Sequence, residues 1–237
     1  MEKLSIYPGR GIHGQVVEAI GRRIVSGQEA PGSTLDLDAL EITYDVSKTV
    51  VREALKVLAA KGLVDARPKR GTFVRSRSQW SLLDPDLLRW QFEEPSGSGL
   101  LDDLYEVRII VEPAGARLAA LRRTEEEVEL LAAALAAVDE QADAEAIIEA
   151  DLAFHRQLLE ASHNELLIRM EYIIEIGLRA RDLLVHTEGH RDDFLPPHRA
   201  VLDAVRRADP DGAERAMREL LEQAAKDEQQ IKNRGGK

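Results

Sequence analysis

The stretch SKTVVREALKVLAAKGLV, residues 47–64, restricts the fold more than any other part of the chain. Val51, Leu55, Leu58 and Ala59 recur at the spacing of one helical face, Ser47 stands where an N-cap belongs, and Gly62 stops the pattern before an apolar pair. Upstream, Val16, Ile20 and Ile24 mark an earlier amphipathic helix that ends at Ser26-Gly27, and APGST follows as a turn. A short helix over residues 36–44 opens at Asp36 and turns Leu37 and Leu40 inward. Downstream, LVDA and TFVR are strand candidates joined by RPKRG, a cation-rich Pro/Gly turn. Three helices followed by a hairpin form the pattern of a winged helix-turn-helix DNA-binding domain.

Charge supports that reading. The chain carries a formal net charge of -11, yet residues 47–78 hold 9 basic and 2 acidic side chains. Residues 1–78 have a net charge of +4 and residues 79–237 a net charge of -15. A cationic patch on an acidic protein suits a polyanionic partner at one end and a different task at the other. With no cysteine there is no thiolate metal site and no Cys nucleophile. No run approaches the roughly 18 apolar residues of a membrane span, so a cytoplasmic location is expected.

The organisation expected is a winged domain at 1–78, a linker at 79–99 containing both tryptophans, and an all-helical domain at 100–231. Aromatics at only 4% and an Ala/Leu/Glu/Arg-rich composition favour a mainly α fold. Helices are read at about 100–121, 124–142, 144–161, 164–185, 198–207 and 211–231, broken by RRT, SHN, HTEGHRDDFLPP and ADPDG.

Several polar residues of the second domain fall on faces meant for a core. Asp151 and His155 lie one turn apart inside the arc of Ile147, Ile148, Leu152, Phe154 and Leu158. They form either a satisfied hydrogen-bonded pair or half of a metal site, since i,i+4 spacing lets both reach one ion. His198 sits on the inward stripe of Val201, Leu202 and Val205. Arg108 and Glu112 both face inward on the first helix, which reads as a buried ion pair at i,i+4.

IVSGQEAPGS and VSKTVVREALKVLAAKGLVDARPKRGTFV resemble the winged helix of the GntR family of bacterial transcription regulators. EVRIIVEPAGARLAA, DLAFHRQLLEASHN and PHRAVLDAV resemble the all-helical FCD effector domain of the FadR branch. QWSLLDPDLLRW is similar to the linker of members that sense sugar acids. The resemblance implies a homodimer on palindromic double-stranded operator DNA, with Lys48, Thr49 and Arg52 as base readers. It places the wing residues Lys69, Arg70 and Thr72 near the minor groove or backbone. Lys48 stands where the family usually has Arg, and it lacks the planar fork that pairs bidentately with guanine.

For the second domain the resemblance implies Asp151, His155 and His198 as ligands of a divalent metal, Zn, Ni or Mn. The family's fourth ligand, a histidine, is replaced here by Leu220. Arg108 is expected to meet a small carboxylate effector, a sugar acid, with Asn164 (also a natural helix cap) and Arg181 as further contacts. Two other readings stay open: a DNA-binding dimer whose second domain is purely structural, and a metal-dependent hydrolase.

Overall fold

The computed structural model describes residues 11–94, 98–138, 144–186 and 195–235. It divides into two compact units, Met1–Gly97 and Ser98–Lys237.

In the first unit α1 (Ile12–Val25), α2 (Leu37–Tyr44) and α3 (Lys48–Ala60) surround one core. Val16, Val17 and Ile20 of α1 pack there with Val51, Leu55 and Leu58 of α3. Asp36 caps α2 by accepting the amide of Asp38 at 2.9 Å. Ser47 precedes α3 but makes no side-chain cap bond. Instead Glu41 of α2 accepts the Lys48 amide at 3.1 Å, so the orphan donor is satisfied from across the turn. After α3, Gly62 adopts φ 79°, and a Cβ there would strike the Gln79 carbonyl. Glycine is what allows the chain to turn into the wing.

The wing is a three-stranded antiparallel sheet in the order β1-β3-β2, from β1 (Thr34–Leu35), β2 (Val64–Arg67) and β3 (Gly71–Val74). β2 and β3 are the expected hairpin. β1 begins at the last residue of APGST, Thr34, and pairs Leu35 with Thr72. At two residues it is too short to show alternation, which is why the sequence reading passed over it.

The stretch expected as linker contains a helix, α4 (Pro85–Glu93), packed within the first unit. Trp90 is 1% exposed and its ring packs closely against Gly21 of α1. Lys61 donates to Asp84 at 2.9 Å and to Asp86 at 2.7 Å, while Arg89 grips Glu18 of α1 through two bonds of 3.0 and 2.7 Å.

The second unit is α5 (Ser98–Arg122), α6 (Glu125–Ala136), α7 (Ala144–Glu160), α8 (Glu165–His186), α9 (Leu195–Arg206) and α10 (Pro210–Gly235). Ala116, Ala119 and Ala120 line the inner face of α5, and small side chains there let neighbouring helices approach closely. Leu131, Phe154, Leu158 and Val201 fill the remaining centre. α6 ends at Ala136, short of the expected 142, with residues 139–143 outside those described. α9 starts at Leu195 rather than 198, because Pro196 and Pro197 occupy a first turn whose N–H groups have no intrahelical partner anyway. Among the described residues no helix is long and apolar enough to cross a membrane.

α7 and α8 are laced by reciprocal clamps. Arg179 of α8 meets Glu145 at 3.1 Å and also Glu149, while Arg156 of α7 meets Glu171 at 3.2 Å and Glu175 at 2.9 Å. Burial and the neighbouring Glu175 carboxylate push Glu171 up to about 7, although Arg156 opposes them.

Two outcomes are expected. Gly21→Ala would force its methyl into the Trp90 ring and should destabilise the first unit by about 1–3 kcal/mol, read as a lower urea midpoint. Glu171 keeps its proton in the folded state above its ordinary value of 4.5, so its contribution to stability is full below that value and lost as pH rises through about 7. Glu171→Gln should therefore shrink the fall in melting temperature between pH 5 and pH 8; parallel falls in both proteins would contradict the assignment.

Candidate functional site

Two groups of side chains stand out, one in each unit. In the first unit, Lys48, Thr49 and Arg52 are exposed on the N-terminal turns of α3, the end whose free amides favour anions. Lys48 is ion-paired to Asp38 of α2, and that carboxylate raises the ammonium above its ordinary value. The acidic second helix thus occupies the cation nearest the helix start. Arg52 makes no ion pair among the described residues, which leaves its five donors available.

On the wing, Lys69 takes φ 65° at the turn and is exposed. The Arg70 guanidinium lies 3.7 Å from the Phe73 ring centroid and donates to the Gly32 carbonyl at 3.2 Å. Arg67 approaches the same ring at 5.4 Å, a wing cation that the sequence reading left out. Thr72 sits in the middle of the sheet, paired with Ala66 and Leu35 and half-buried. The cations at the tip are thus better placed than Thr72 for contact with a phosphate backbone.

In the second unit α5, α7 and α9 bring together five buried polar side chains: Arg108, Glu112, Asp151, His155 and His198. Helical spacing explains the placement, since Arg108–Glu112 and Asp151–His155 are each one turn apart on an inward face. The chain of contacts is continuous. Arg108 Nε donates to Glu112 Oε1 at 2.5 Å, and Glu112 Oε2 lies 2.6 Å from His155 Nδ1. His155 Nε2 is 3.6 Å from Asp151 Oδ1, which also meets His198 Nε2 at 2.8 Å. Phe154 closes the cluster edge-on, with centroids 5.1 Å from His198 and 5.9 Å from His155.

The charges are strongly coupled. Burial raises Glu112, but the Arg108 guanidinium and His155 outweigh it and hold the carboxyl at about 2. Burial lowers His155, yet the Glu112 and Asp151 carboxylates carry it to about 9. Asp151 is held well below the usual carboxylate range by His155 and His198, again against its burial.

Asp151, His155 and His198 each offer one donor atom, and these atoms lie within 4.8 Å of one another. The set fits a divalent ion. Two imidazole nitrogens and a carboxylate oxygen suit Zn, Ni or Mn, and Glu112 at His155 Nδ1 is the kind of outer carboxylate that fixes a ligand's tautomer and leaves Nε2 to coordinate. Sequence reasoning found the three donors and the Arg108–Glu112 pair but missed the Glu112–His155 contact. Leu220 packs in the apolar core with Met217 and Leu221 and supplies no donor.

The expected effector contacts fare differently. Arg108 borders a cavity of about 20 Å³ between α5 and α10, lined also by Leu104, Tyr105 and Leu221, room for about one water. Asn164 takes the helix-cap role that its sequence position also offered: its side-chain oxygen accepts the Leu166 amide at 3.1 Å and caps α8. The Arg181 side chain lies outside the described residues. His163 is on the surface, paired with Glu127 at 2.8 Å.

Comparison with known proteins follows the same division. Residues 12–74 match "Bacterial regulatory proteins, gntR family" and residues 103–223 match the FCD domain. The galactonate operon transcriptional repressor of Escherichia coli K12 is 35% identical over 206 residues, covering 85% of this chain and 90% of the repressor. The uncharacterised HTH-type regulator YieP of the same organism is 33% identical over 210 residues, covering 87% and 90%. The solved structure of Lar, described as controlling the Listeria monocytogenes agr system, aligns with a TM-score of 0.65 at 16% identity, covering 93% of this chain and 98% of that one. That likeness shows the fold.

Proposed function

Because the chain belongs to the gntR family of bacterial regulatory proteins and carries an FCD domain, we propose that it is a homodimeric repressor whose hold on a palindromic operator is released by a small carboxylate bound at a divalent metal. It is a transcriptional regulator and not an enzyme, as its families and relatives are. Operator binding would make it a cytoplasmic protein.

In the DNA-binding role, Arg52 reads a base, with Thr49 beside it and Lys48 restrained by Asp38. Lys69 and Arg70 contact phosphates from the wing. Two protomers are needed because one winged unit offers too few contacts for useful specificity.

The observation that carries the effector reading is the buried cluster of Asp151, His155 and His198, with Glu112 and Arg108 behind it. A fold does not bury five polar groups cheaply. Asp151, His155 and His198 would hold the ion, and Glu112 keeps the His155 Nδ1 proton in place. When bound, a divalent metal supplies Lewis-acid affinity for a carboxylate and its adjacent hydroxyl. Leu220 leaves the position of a fourth ligand to such a molecule. The similarity to a galactonate operon repressor favours a sugar acid as the effector class. Binding there would shift the dimer toward a state that releases DNA.

The closed network of contacts, with His198 bonded to Asp151 at 2.8 Å, favours one second reading: a purely structural cluster. A melting temperature that rises with sugar acids distinguishes the two, because a specific ligand stabilises the folded state by mass action.

Arg52→Ala should cost about 1–3 kcal/mol of specific binding, read by fluorescence anisotropy at moderate salt, with the circular dichroism of the helices unchanged. Wild-type operator affinity in that variant would remove α3 as the reader. Lys69→Ala and Arg70→Ala should weaken binding to all sequences and lower the salt slope by about one each. His155→Ala and His198→Ala should both lose metal by elemental analysis and lose effector response while operator binding survives. Protein purified without chelator that contains no metal, together with a normal response in Arg108→Ala, would show the pocket to be misplaced.

A further inference from the structure

The wing orders one of its arginines without cancelling its charge. Arg70 is exposed, and its guanidinium carbon lies 3.7 Å from the centroid of the Phe73 ring. Its Nη2 donates to the Gly32 carbonyl at 3.2 Å. A ring face and a carbonyl are both neutral partners, and Arg70 makes no ion pair among the described residues. Lys48 shows the alternative, since the Asp38 carboxylate that holds it also neutralises it. Arg67 comes within 5.4 Å of the same ring but is paired with Asp65 at 3.7 Å.

Both anchors of Arg70 are themselves fixed. Phe73 is 7% exposed and stands in β3 opposite Thr34 on one side and Asp65 on the other. Gly32 takes φ 86°, which glycine adopts without steric penalty, and its amide donates to the Val74 carbonyl at 2.8 Å. The turn before β1 is thereby tied to β3. A long side chain that is free loses rotamer freedom on binding, and one already held loses less.

We propose that Phe73, together with the Gly32 carbonyl, positions the Arg70 guanidinium for a backbone phosphate before DNA arrives, so that Phe73 contributes to DNA affinity without touching DNA. The inference rests on the DNA-binding role proposed above and adds to it a buried residue that carries no charge. With Nη2 bonded to Gly32, the remaining N–H donors stay available to a phosphate, which a planar guanidinium can meet with parallel bonds. Phe73 is a positioning residue. Replacing it leaves the number of wing charges unchanged and alters only how often Arg70 is in place, so affinity and salt dependence should separate.

The test uses the full-length protein and a fluorescein-labelled duplex that the wild type selects from a random-sequence library, with affinity followed by anisotropy over a range of salt. Phe73→Leu should weaken binding roughly two- to fivefold and leave the salt slope unchanged. Phe73→Tyr, which keeps the ring, should bind as the wild type does. In an Arg70→Ala background Phe73→Leu should bring no further loss, since the group it positions is gone. Arg70→Lys, at an exposed position, keeps the charge but not the planar face and should show the same loss at the same slope. Losses that add in the double variant overturn the inference and make Phe73 purely structural. A slope that falls in Phe73→Leu overturns it too, as does wild-type affinity in Arg70→Lys. If Phe73→Leu does not fold by circular dichroism, Arg70→Lys decides: a loss at constant slope supports the inference and wild-type affinity overturns it. A wild type that selects no duplex overturns the DNA-binding reading and the inference together, whereas additive losses overturn the inference alone.

Discussion

The carboxylate of Glu112, shared between Arg108 and His155, is the interaction on which the second unit's chemistry depends. Arg108 would be an unpaired buried charge without it, at a cost of several kcal/mol, and His155 would keep only the longer contact to Asp151. It holds the His155 ring so that Nε2 faces Asp151, and Asp151 in turn holds His198. Three helices are pinned to one another through this chain of charges. The placement is costly for stability alone, because apolar residues of similar volume would fill the same space with no desolvation penalty. That is the physical reason for reading it as a site.

The two units meet their tasks by opposite means. The winged unit keeps the cations proposed to contact DNA, Arg52, Lys69 and Arg70, exposed at the surface. Its rigidity comes from elsewhere: Trp90 packed against Gly21, and Lys61 and Arg89 tying α4 to the rest of the unit. The helical unit buries its polar groups instead.

Much of this was legible in the sequence. α3 could be read because Val51, Leu55 and Leu58 repeat at 3.6 residues, and the basic turn after it could be read from RPKRG. Asp151, His155 and His198 announced themselves as polar residues in apolar arcs. What escaped were contacts that cross between elements. Nothing local in Glu112 points to His155 on α7, and nothing in Lys48 points to Asp38 on α2. β1 escaped because two residues carry no periodicity, and the start of α9 because its prolines read as loop. Asn164 was legible as a helix cap, and its side-chain oxygen does cap α8.

The central claim is that a metal held by buried residues makes this regulator responsive to an anion. The most direct measurement is operator release, followed by anisotropy of labelled DNA, as D-galactonate is added to metal-loaded protein and to the same protein stripped by chelator and dialysed. The account predicts release from the loaded protein and none from the stripped protein, with both binding the operator equally before the acid is added. Equal release from both, or no release from either, would contradict it.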